Sequence, residues 1–302
     1  MYETHFGLRE LPFSITPDTS FFFSSDGAQS GLNLLLIAAR SGEGFIKIVG
    51  EVGTGKTLLC RKLMQSLGED FQIAYVPNPC LSPRALFLEL AWELGVSPEA
   101  VGEKSSRHQL IHSLQRRLLE LAHDKKRVLV CLDEVQAMPT ETLEALRLLT
   151  NLETEKRKLL QVIIFGQPEL EAKLDAPSVR QLRQRITFEY RLGPLSDEEL
   201  DFYVQHRLSV AGHTGGRVFS GAAVRLMRQR TGGYPRLVNI VAHKALMAAY
   251  GKGKRQVGYF DVRAACRDTP STRAVSRWPW ATLGLLSLAA IVATAFTWMG
   301  MT

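Results

Sequence analysis

Residues 50–57 read GEVGTGKT, which matches the pattern G-x-x-x-x-G-K-T of a phosphate-binding loop. The apolar run directly before it, FIKIVG (45–50), predicts a short buried strand, and a helix is predicted from about Lys56 to Leu67. Glycines let backbone N–H groups curl around phosphate oxygens without Cβ clashes, and the helix N-terminus adds a partial positive charge. This stretch therefore predicts a nucleotide site; an ordinary glycine-rich turn is the alternative, and it is much less favoured.

Two side chains of this loop carry the predicted chemistry. Lys56 is expected to reach the β- and γ-phosphates of ATP, and the Thr57 hydroxyl to bind Mg²⁺. The other positions expected to contact the nucleotide are Gly50, Glu51, Val52, Gly53, Thr54, Gly55 and Leu58.

A second motif, VLVCLDE, follows at 128–134. An apolar strand here delivers two acids at its carboxyl end, where parallel sheets bind their ligands. Asp133 is expected to hold the Mg²⁺ shell, and Glu134 to activate the attacking water as a general base. A solvated acid pair in a loop is the alternative, and the spacing from the phosphate-binding loop argues against it.

Three further stretches supply candidates for the same site. Gln167 ends the strand predicted over 160–165 and could position water. Arg180, Arg183 and Arg185 cluster before the last predicted strand, where an arginine finger acting on a neighbouring subunit would lie; for any one of them a solvated basic face is equally compatible. Arg236, in the G-x-P-R sequence at 233–236, could aim a guanidinium at the nucleotide from a lid.

Strands alternate with helices up to Pro194, which predicts an α/β fold of the P-loop NTPase class, with a parallel sheet covered by helices on both faces. Ser196 and Glu199 then form a capping box, and helical patterns continue to about residue 269. The predicted domains are an N-terminal segment with the first helix (1–44), the P-loop αβ domain (45–194), a small helical lid (195–269), a basic juxtamembrane linker (270–277) and a transmembrane helix (278–299).

The 302 residues are 45% hydrophobic and 22% charged, which excludes a mainly disordered or fibrous chain. The four cysteines lie far apart without a C-x-x-C pair, so a disulfide scaffold or a thiolate zinc site is not expected. The net charge is +7, and seven basic against two acidic residues between Lys252 and Arg277 supply most of it. Because the charge is concentrated there, the high net charge is weak evidence for a nucleic-acid surface on the main body.

The basic stretch precedes 25 residues without a charged side chain, beginning at Trp278. As a helix, 278–299 would be about 33 Å long, enough for a bilayer core of about 30 Å. Arg273 and Arg277 stand on its amino-terminal side, so the positive-inside rule puts residues 1–277 in the cytoplasm. A single-pass protein of the bacterial inner membrane is therefore expected, with a buried core helix as the less favoured alternative.

Several stretches together resemble one branch of the AAA+ ATPases, the ExeA/GspA general-secretion family, and most of all its MshM-type members from MSHA type IV pilus biogenesis. The stretches are FGLRELPFSITPDTSFFF (6–23), GEVGTGKT (50–57), NPCLSPRALFLELAWELG (78–95), LDEVQAM (132–138), LRLLTNLET (146–154), FGQPEL (165–170), QRI (184–186) and GGYPRLVN (232–239). The resemblance implies that Gln167 is sensor 1, Arg185 the arginine finger and Arg236 sensor 2. It also implies that the N-terminal segment lies near the adenine.

The expected function is that of a membrane-tethered, Mg²⁺-ATP-hydrolysing assembly factor for a type IV pilus or a general (type II) secretion apparatus. The resemblance implies a ring-type homo-oligomer, with inner-membrane pilus or secretion components and membrane lipid as partners. ExeA-type proteins continue beyond their membrane span, whereas this chain stops three residues after it, which favours the pilus type. The alternatives are a DNA-associated AAA+ regulator similar to transposition ATPases and a scaffold that binds ATP without hydrolysing it; nucleic acid is not an expected partner.

Overall fold

The computed structural model describes residues 1–97, 101, 106–149, 152 and 158–272. Its centre is a five-stranded parallel sheet with the order β2-β3-β4-β1-β5. The strands are β1 (Phe45–Gly50), β2 (Phe71–Val76), β3 (Arg127–Leu132), β4 (Leu160–Gly166) and β5 (Phe188–Leu192). Each strand that the apolar runs predicted is present, so the predicted parallel α/β class is confirmed.

Helices before and between the strands cover the sheet. They are α1 (Asp26–Ser41), α2 (Lys56–Ser66), α3 (Pro83–Glu93), α4 (Arg107–His123), α5 (Thr140–Leu149), α6 (Glu169–Leu174) and α7 (Arg180–Arg183). The side chains of Ser82 and Ser106 cap α3 and α4 by accepting from backbone N–H groups, because a hydroxyl at this position satisfies a donor that the helix leaves unpaired. The sequence after the acid pair also predicts a helix near 140–153; the structure has α5 there, and the last residues of this range lie largely outside the described ones.

Successive residues of the central strands enter two different cores. In β4, Val162 and Ile164 pack with α3, α4 and α5, whereas Ile163 and Phe165 pack with α1 and α2. All four side chains are completely buried. Helices on both faces therefore remove β4 and its neighbours from water, which explains why these strands are apolar runs without polar alternation.

Four helices form a separate core after the sheet: α8 (Asp197–Val210), α9 (Gly221–Thr231), α10 (Pro235–Tyr250) and α11 (Tyr259–Arg267). The capping box predicted at Ser196 is present, with the Glu199 carboxylate accepting from the Ser196 N–H at 2.7 Å. The all-helical reading is accurate except for one parallel bridge between Phe219 and Val257. The placement of the domain boundaries stays a prediction.

The N-terminal segment packs on these helices and not only on the sheet. Tyr2, Phe6, Phe13 and Phe21 are nearly fully buried in the same core as α8 to α11. The sequence grouped residues 1–44 with the first helix, and nothing in it indicated this contact. The chain therefore starts on the helical part, crosses to α1 and the sheet, and returns to the helical part.

In the described part of the chain, no helix combines the length and the apolar character that crossing a membrane requires. The predicted transmembrane helix, 278–299, lies outside the described residues, as does most of the basic linker.

Candidate functional site

Three strand ends converge at the carboxyl edge of the sheet. The phosphate-binding loop follows β1, the acid pair follows β3, and Gln167 follows β4, which lies between the other two. The sheet order thus brings together motifs that are up to 117 positions apart in the chain. This edge is where parallel sheets place their ligands.

Lys56 begins α2, and its side chain folds back over the loop. Its ammonium group donates to the carbonyls of Gly50 at 2.7 Å and Glu51 at 3.1 Å. The side chain is nearly fully buried, and this burial lowers its pKa, although the negative charges of Glu134 and Asp133 act in the opposite direction. A buried cation whose partners are two neutral carbonyls is well placed to exchange them for anionic phosphate oxygens.

Thr57 and Asp133 are in contact beside the phosphate-binding loop. The Thr57 hydroxyl donates to Asp133 Oδ2 at 2.5 Å, and the Glu134 N–H donates to Asp133 Oδ1 at 2.9 Å. Asp133 is 2% exposed, and burial raises its pKa above the ordinary 3.8. A buried carboxylate beside a hydroxyl is a donor set of the hard oxygens that Mg²⁺ prefers, so these two residues fit that ion.

Glu134 has a left-handed backbone conformation with φ of 53°, which is rare for a residue that has a Cβ and costs on the order of 1–2 kcal/mol. Its Oε2 accepts from the Gln167 side-chain amide at 3.0 Å and from the Gln136 amide at 2.5 Å. The predicted base and the predicted sensor are therefore in direct contact. The two amides hold the carboxylate in one orientation.

Gln136 was not a candidate from the sequence. Besides the Glu134 contact, its side-chain oxygen accepts from the Gln167 N–H at 3.0 Å, so it joins both residues. Lys173 in turn donates to the backbone carbonyls of Gln136 and, at 3.0 Å, Met138. A glutamine two positions after an acid pair gives no recognisable signal, because its role depends on the neighbouring strand.

The helical part reaches the loop at Arg236. Its backbone N–H donates to the carbonyl of Gly53 at 3.1 Å, at the start of α10. A Cβ built on Gly53 would lie 2.5 Å from the Arg236 Cβ, so only glycine permits this approach. The φ of Gly53, 81°, is a second reason for glycine, because residues with a Cβ rarely adopt it. Arg236 therefore lines the same cavity as Lys56 and Thr57.

This cavity, of about 170 Å³, has three walls. One is the phosphate-binding loop with Glu134, one is α8 and α10, and the third is the N-terminal stretch Ser14 to Asp18. The N-terminal segment thus lines the candidate cavity, and its expected position near the adenine stays a prediction.

Arg207 is the second residue that the sequence did not reveal. It is 4% exposed on α8, and its guanidinium donates to the carbonyls of Pro12 and Ser14 and lies 4.5 Å from the Phe21 ring centre. Asn239 on α10 also donates to the Ser14 carbonyl, at 3.3 Å. Two lid helices thus bind the N-terminal segment where it lines the cavity.

The same segment is bound from the other side by α2. Arg61 donates to the carbonyl of Pro17 at 2.6 Å, and Gln65 donates to the Thr19 hydroxyl at 2.7 Å. Residues 12–19 therefore connect the helix that follows the phosphate-binding loop to the lid helices. No sequence motif marks these contacts, because most of the acceptors are backbone carbonyls.

The arginine cluster is not part of this cavity. Arg185 precedes β5, and the N–H of Thr187, two residues after it, donates to the carbonyl of Phe45, at the amino end of β1. Arg185 therefore lies toward the sheet edge opposite the phosphate-binding loop. Within the cluster, Arg183 forms an ion pair with Asp175, the residue directly after α6, so this arginine has a partner in its own chain.

A family model described as AAA domain matches residues 39–174. Over 301 residues the chain is 39% identical to general secretion pathway protein A of Aeromonas hydrophila. The aligned region covers 99% of this chain and 54% of that protein. The chain is a relative of general secretion pathway protein A and contains an AAA domain. The resemblance read from the sequence is thereby confirmed at the level of this family, and the chain spans about half the length of that relative.

Solved structures support the fold. Cdc6p of Pyrobaculum aerophilum superposes with a TM-score of 0.65 at 20% identity, over 83% of this chain and 70% of that one. The Aeropyrum pernix ORC2 protein superposes with a TM-score of 0.61 at 17% identity, over 84% of this chain and 72% of that one. At these identities the likeness shows that this relative of general secretion pathway protein A shares the fold, including its helical part.

Proposed function

We propose that the chain is a Mg²⁺-dependent ATPase. The observation that carries the proposal is the group formed by Thr57, Asp133, Glu134 and Gln167 beside the phosphate-binding loop. It combines oxygen ligands for a hard cation with a carboxylate held for proton transfer, at the sheet edge where the loop would present a triphosphate.

Each residue has a distinct part in the proposed reaction. Lys56 leaves the Gly50 and Glu51 carbonyls and donates to the phosphate oxygens of ATP. Thr57 and Asp133 would hold Mg²⁺, which when bound would offset the charge that develops on the phosphates. Glu134 accepts a proton from water as the water oxygen bonds to the γ-phosphorus. The bond from that phosphorus to the β–γ bridging oxygen breaks, and ADP and phosphate leave.

The positions of Gln167 and Arg236 support two auxiliary roles. Gln167, through its amide, orients the Glu134 carboxylate and the water. Arg236 contacts the nucleotide from the lid, since its backbone N–H is bound to Gly53 and the residue lines the cavity. A lid residue that contacts both loop and ligand would couple lid position to the state of the nucleotide.

Glu134→Gln tests the proposal directly. An amide does not accept the proton, so hydrolysis should fall by about 10²- to 10⁴-fold while ATP binding is kept. The matched control is Glu141→Gln, an exposed acid on α5. Phosphate release and the binding of a fluorescent ATP analogue are measured on both variants. Hydrolysis by Glu134→Gln at the parent rate would exclude Glu134 as the base.

Self-association is a further part of the proposal. Arg185 lies toward the sheet edge remote from its own nucleotide cavity, a position from which it would serve the nucleotide of a neighbouring subunit in a ring. Arg185→Ala should then lower turnover and leave ATP affinity nearly unchanged, and activity per chain should rise with protein concentration. A monomer with full, concentration-independent activity would disprove this role.

We also propose that residues 278–299 anchor the chain in the bacterial inner membrane with residues 1–277 in the cytoplasm. The support is the uncharged, tryptophan-bounded sequence and the arginines before it. The anchored ATPase would act as an assembly factor in general secretion, as the name of its Aeromonas relative suggests, or in the biogenesis of an MSHA-like pilus. Carbonate extraction tests the anchor, and co-purification from detergent distinguishes secretion from pilus components.

A further inference from the structure

Helix α11 has one buried face and one exposed face. Asp261, Val262, Ala265 and Cys266 are buried against the other lid helices. The opposite face carries Tyr259, Phe260, Arg263, Ala264 and Arg267, all exposed. Phe260 is 70% exposed and contacts Tyr259 edge to face, with ring centres 5.5 Å apart. Exposed apolar groups that lie side by side often mark an interaction surface, and here two adjacent aromatic rings are exposed beside arginines.

The charge on this surface is almost entirely positive. Both acids nearby are neutralised, since Asp261 pairs with Lys252 and Lys254 and Asp268 pairs with Lys244. Three further exposed cations are Arg255, Arg263 and Arg267, and the described residues place no carboxylate within ion-pair distance of them. The surface therefore combines aromatic side chains with uncompensated positive charge.

We infer that this exposed face of α11 docks on the headgroups of an anionic bilayer. Helices that lie in a membrane interface have this combination, with aromatic residues entering the headgroup boundary and arginines paired with lipid phosphates. The inference rests in part on the proposed anchor, because the anchor determines how far the lid can be from the membrane.

The reach of the chain supports this occupant. Five residues separate Thr272, the last described residue, from Trp278, where the proposed anchor begins. Fully extended, the chain from Thr272 to Trp278 spans about 20 Å at most. Two of these residues, Arg273 and Arg277, add positive charge to the same short stretch. The carboxyl end of the lid is thus confined to the vicinity of the bilayer, with its aromatic and basic surface nearby.

Nucleic acid is the other polyanion that such a surface could bind. The two exposed rings favour the membrane, because a duplex offers phosphates to arginines but has no apolar region for a phenylalanine edge outside its stacked bases. The proximity of the proposed anchor favours the membrane as well. Docking would have a functional consequence, since α11 packs on α10, the helix that begins with Arg236 and the contact to Gly53.

The test uses the full chain with a nitroxide probe at Ala264→Cys, which keeps both rings and both arginines in place. The background substitution Cys80→Ser removes the exposed native thiol, and the other three cysteines are buried. The matched control probe is at Ala222→Cys, an exposed alanine on α9. The chain is reconstituted into vesicles of phosphatidylcholine alone or of equal parts phosphatidylcholine and phosphatidylglycerol, and collisions of the probe with oxygen and with a water-soluble nickel complex are compared.

In the anionic vesicles the probe at 264 should enter the boundary region, about 5–10 Å deep, with more oxygen collisions and fewer nickel collisions than the probe at 222. Arg263→Gln with Arg267→Gln should shift the ratio of docked to undocked lid by about 30-fold, which corresponds to about 2 kcal/mol. Phe260→Ser should reduce the immersion as well, and phosphatidylcholine alone should give little docking.

Three results would overturn the inference. The probe at 264 could stay fully aqueous in anionic vesicles, the arginine substitutions could leave its depth unchanged, or a duplex oligonucleotide could immobilise it where vesicles do not. Carbonate extraction of the same samples reports the anchor separately. A chain that resists extraction but has an aqueous probe disproves only the docking, whereas an extracted chain disproves the anchor.

Discussion

The two halves of the candidate site are constructed differently. On the sheet side, each functional side chain follows a strand end, and its contacts lie within short loops, as in the Thr57–Asp133 and Glu134–Gln167 hydrogen bonds. On the lid side, Arg207 and Asn239 bind backbone carbonyls of the N-terminal segment, across about 200 positions of sequence. The first half is a set of motifs and the second is a set of packing contacts.

This difference predicts that substitutions in the two halves have different effects. Substitutions at the sheet edge should affect nucleotide binding and hydrolysis and leave the fold intact. Substitutions on the lid side should loosen the contact between lid, N-terminal segment and α2, and so affect stability first. The following experiments test that difference, from the largest expected effect to the smallest.

Lys56→Ala should have the largest effect. It removes the buried cation that we expect to pair with the phosphates, and charge-assisted hydrogen bonds of this kind contribute roughly 3 kcal/mol. ATP affinity should fall by at least about 100-fold, since each 1.4 kcal/mol is a factor of ten. Titration calorimetry measures the affinity, and circular dichroism should show an unchanged fold. Lys62→Ala on the same helix is the control, and an equal loss there would indicate general damage to α2.

Arg207→Met should act on stability. The substitution keeps a long side chain but leaves the Pro12 carbonyl without its donor, leaves the Ser14 carbonyl with the Asn239 amide alone, and removes the contact with the Phe21 ring. We expect a loss of about 2–3 kcal/mol from these effects together. Chemical unfolding measures it, and trypsin should cleave the N-terminal segment sooner. Arg225→Ala, an exposed arginine on α9, should change neither. If trypsin cleaved both variants at the same rate, Arg207 would not be the residue that holds the N-terminal segment in place.

The same contrast explains how much could be read from the sequence. The strands of the sheet, the capped helices α3, α4 and α8, and the cluster of Lys56, Thr57, Asp133, Glu134 and Gln167 at one sheet edge follow from local pattern plus the rule that parallel strands end together. The local pattern works because glycine conformation, strand polarity and helix capping are each decided within a few residues.

Arg207 and Gln136 could not be found in this way. Arg207 lies in an ordinary helix pattern, and its acceptors are carbonyls, which every residue has. Gln136 owes its contacts to the placement of β4 beside β3, and a single sequence does not give strand order directly. The buried aromatic residues of the N-terminal segment show the same limit, because an apolar residue indicates burial without indicating the partner.

Gln136→Ala should have an intermediate effect on catalysis. It removes one of the two amides that hold the Glu134 carboxylate, while Gln167 retains its own contact. We expect hydrolysis to fall by about 10-fold, the equivalent of one hydrogen bond of about 1.4 kcal/mol, with little change in ATP affinity. Steady-state phosphate release at saturating ATP measures it. Gln136→Glu is informative beside it, because a second carboxylate would repel Glu134 and lower activity further. Full activity in both variants would remove Gln136 from the site.

Asp133→Asn should show the smallest effect, and its sign is opposite to the others, because it should stabilise the nucleotide-free protein. Burial raises the pKa of Asp133 in the folded protein above 3.8, so its ionised form is less favourable there than in the unfolded chain. The stability that goes with the protonated form is complete below pH 3.8 and is lost as pH rises through the folded pKa. Asparagine has the same shape and can bond both Thr57 and the Glu134 N–H, but it never ionises.

At pH 7 the Asp133→Asn variant should therefore melt a few degrees higher than the parent, at about 2–4 °C for each kcal/mol. The difference should shrink as the pH falls toward 3.8, where the parent aspartate becomes neutral. Mg²⁺ with ATP should raise the melting temperature of the parent more than that of the variant, because the ion needs the carboxylate that asparagine lacks. Thermal melts at several pH values, with and without Mg²⁺-ATP, measure both effects. A variant that is less stable than the parent at pH 7 would mean that the Thr57–Asp133 contact outweighs the buried charge, and the sheet edge would then contribute to stability as the lid side does.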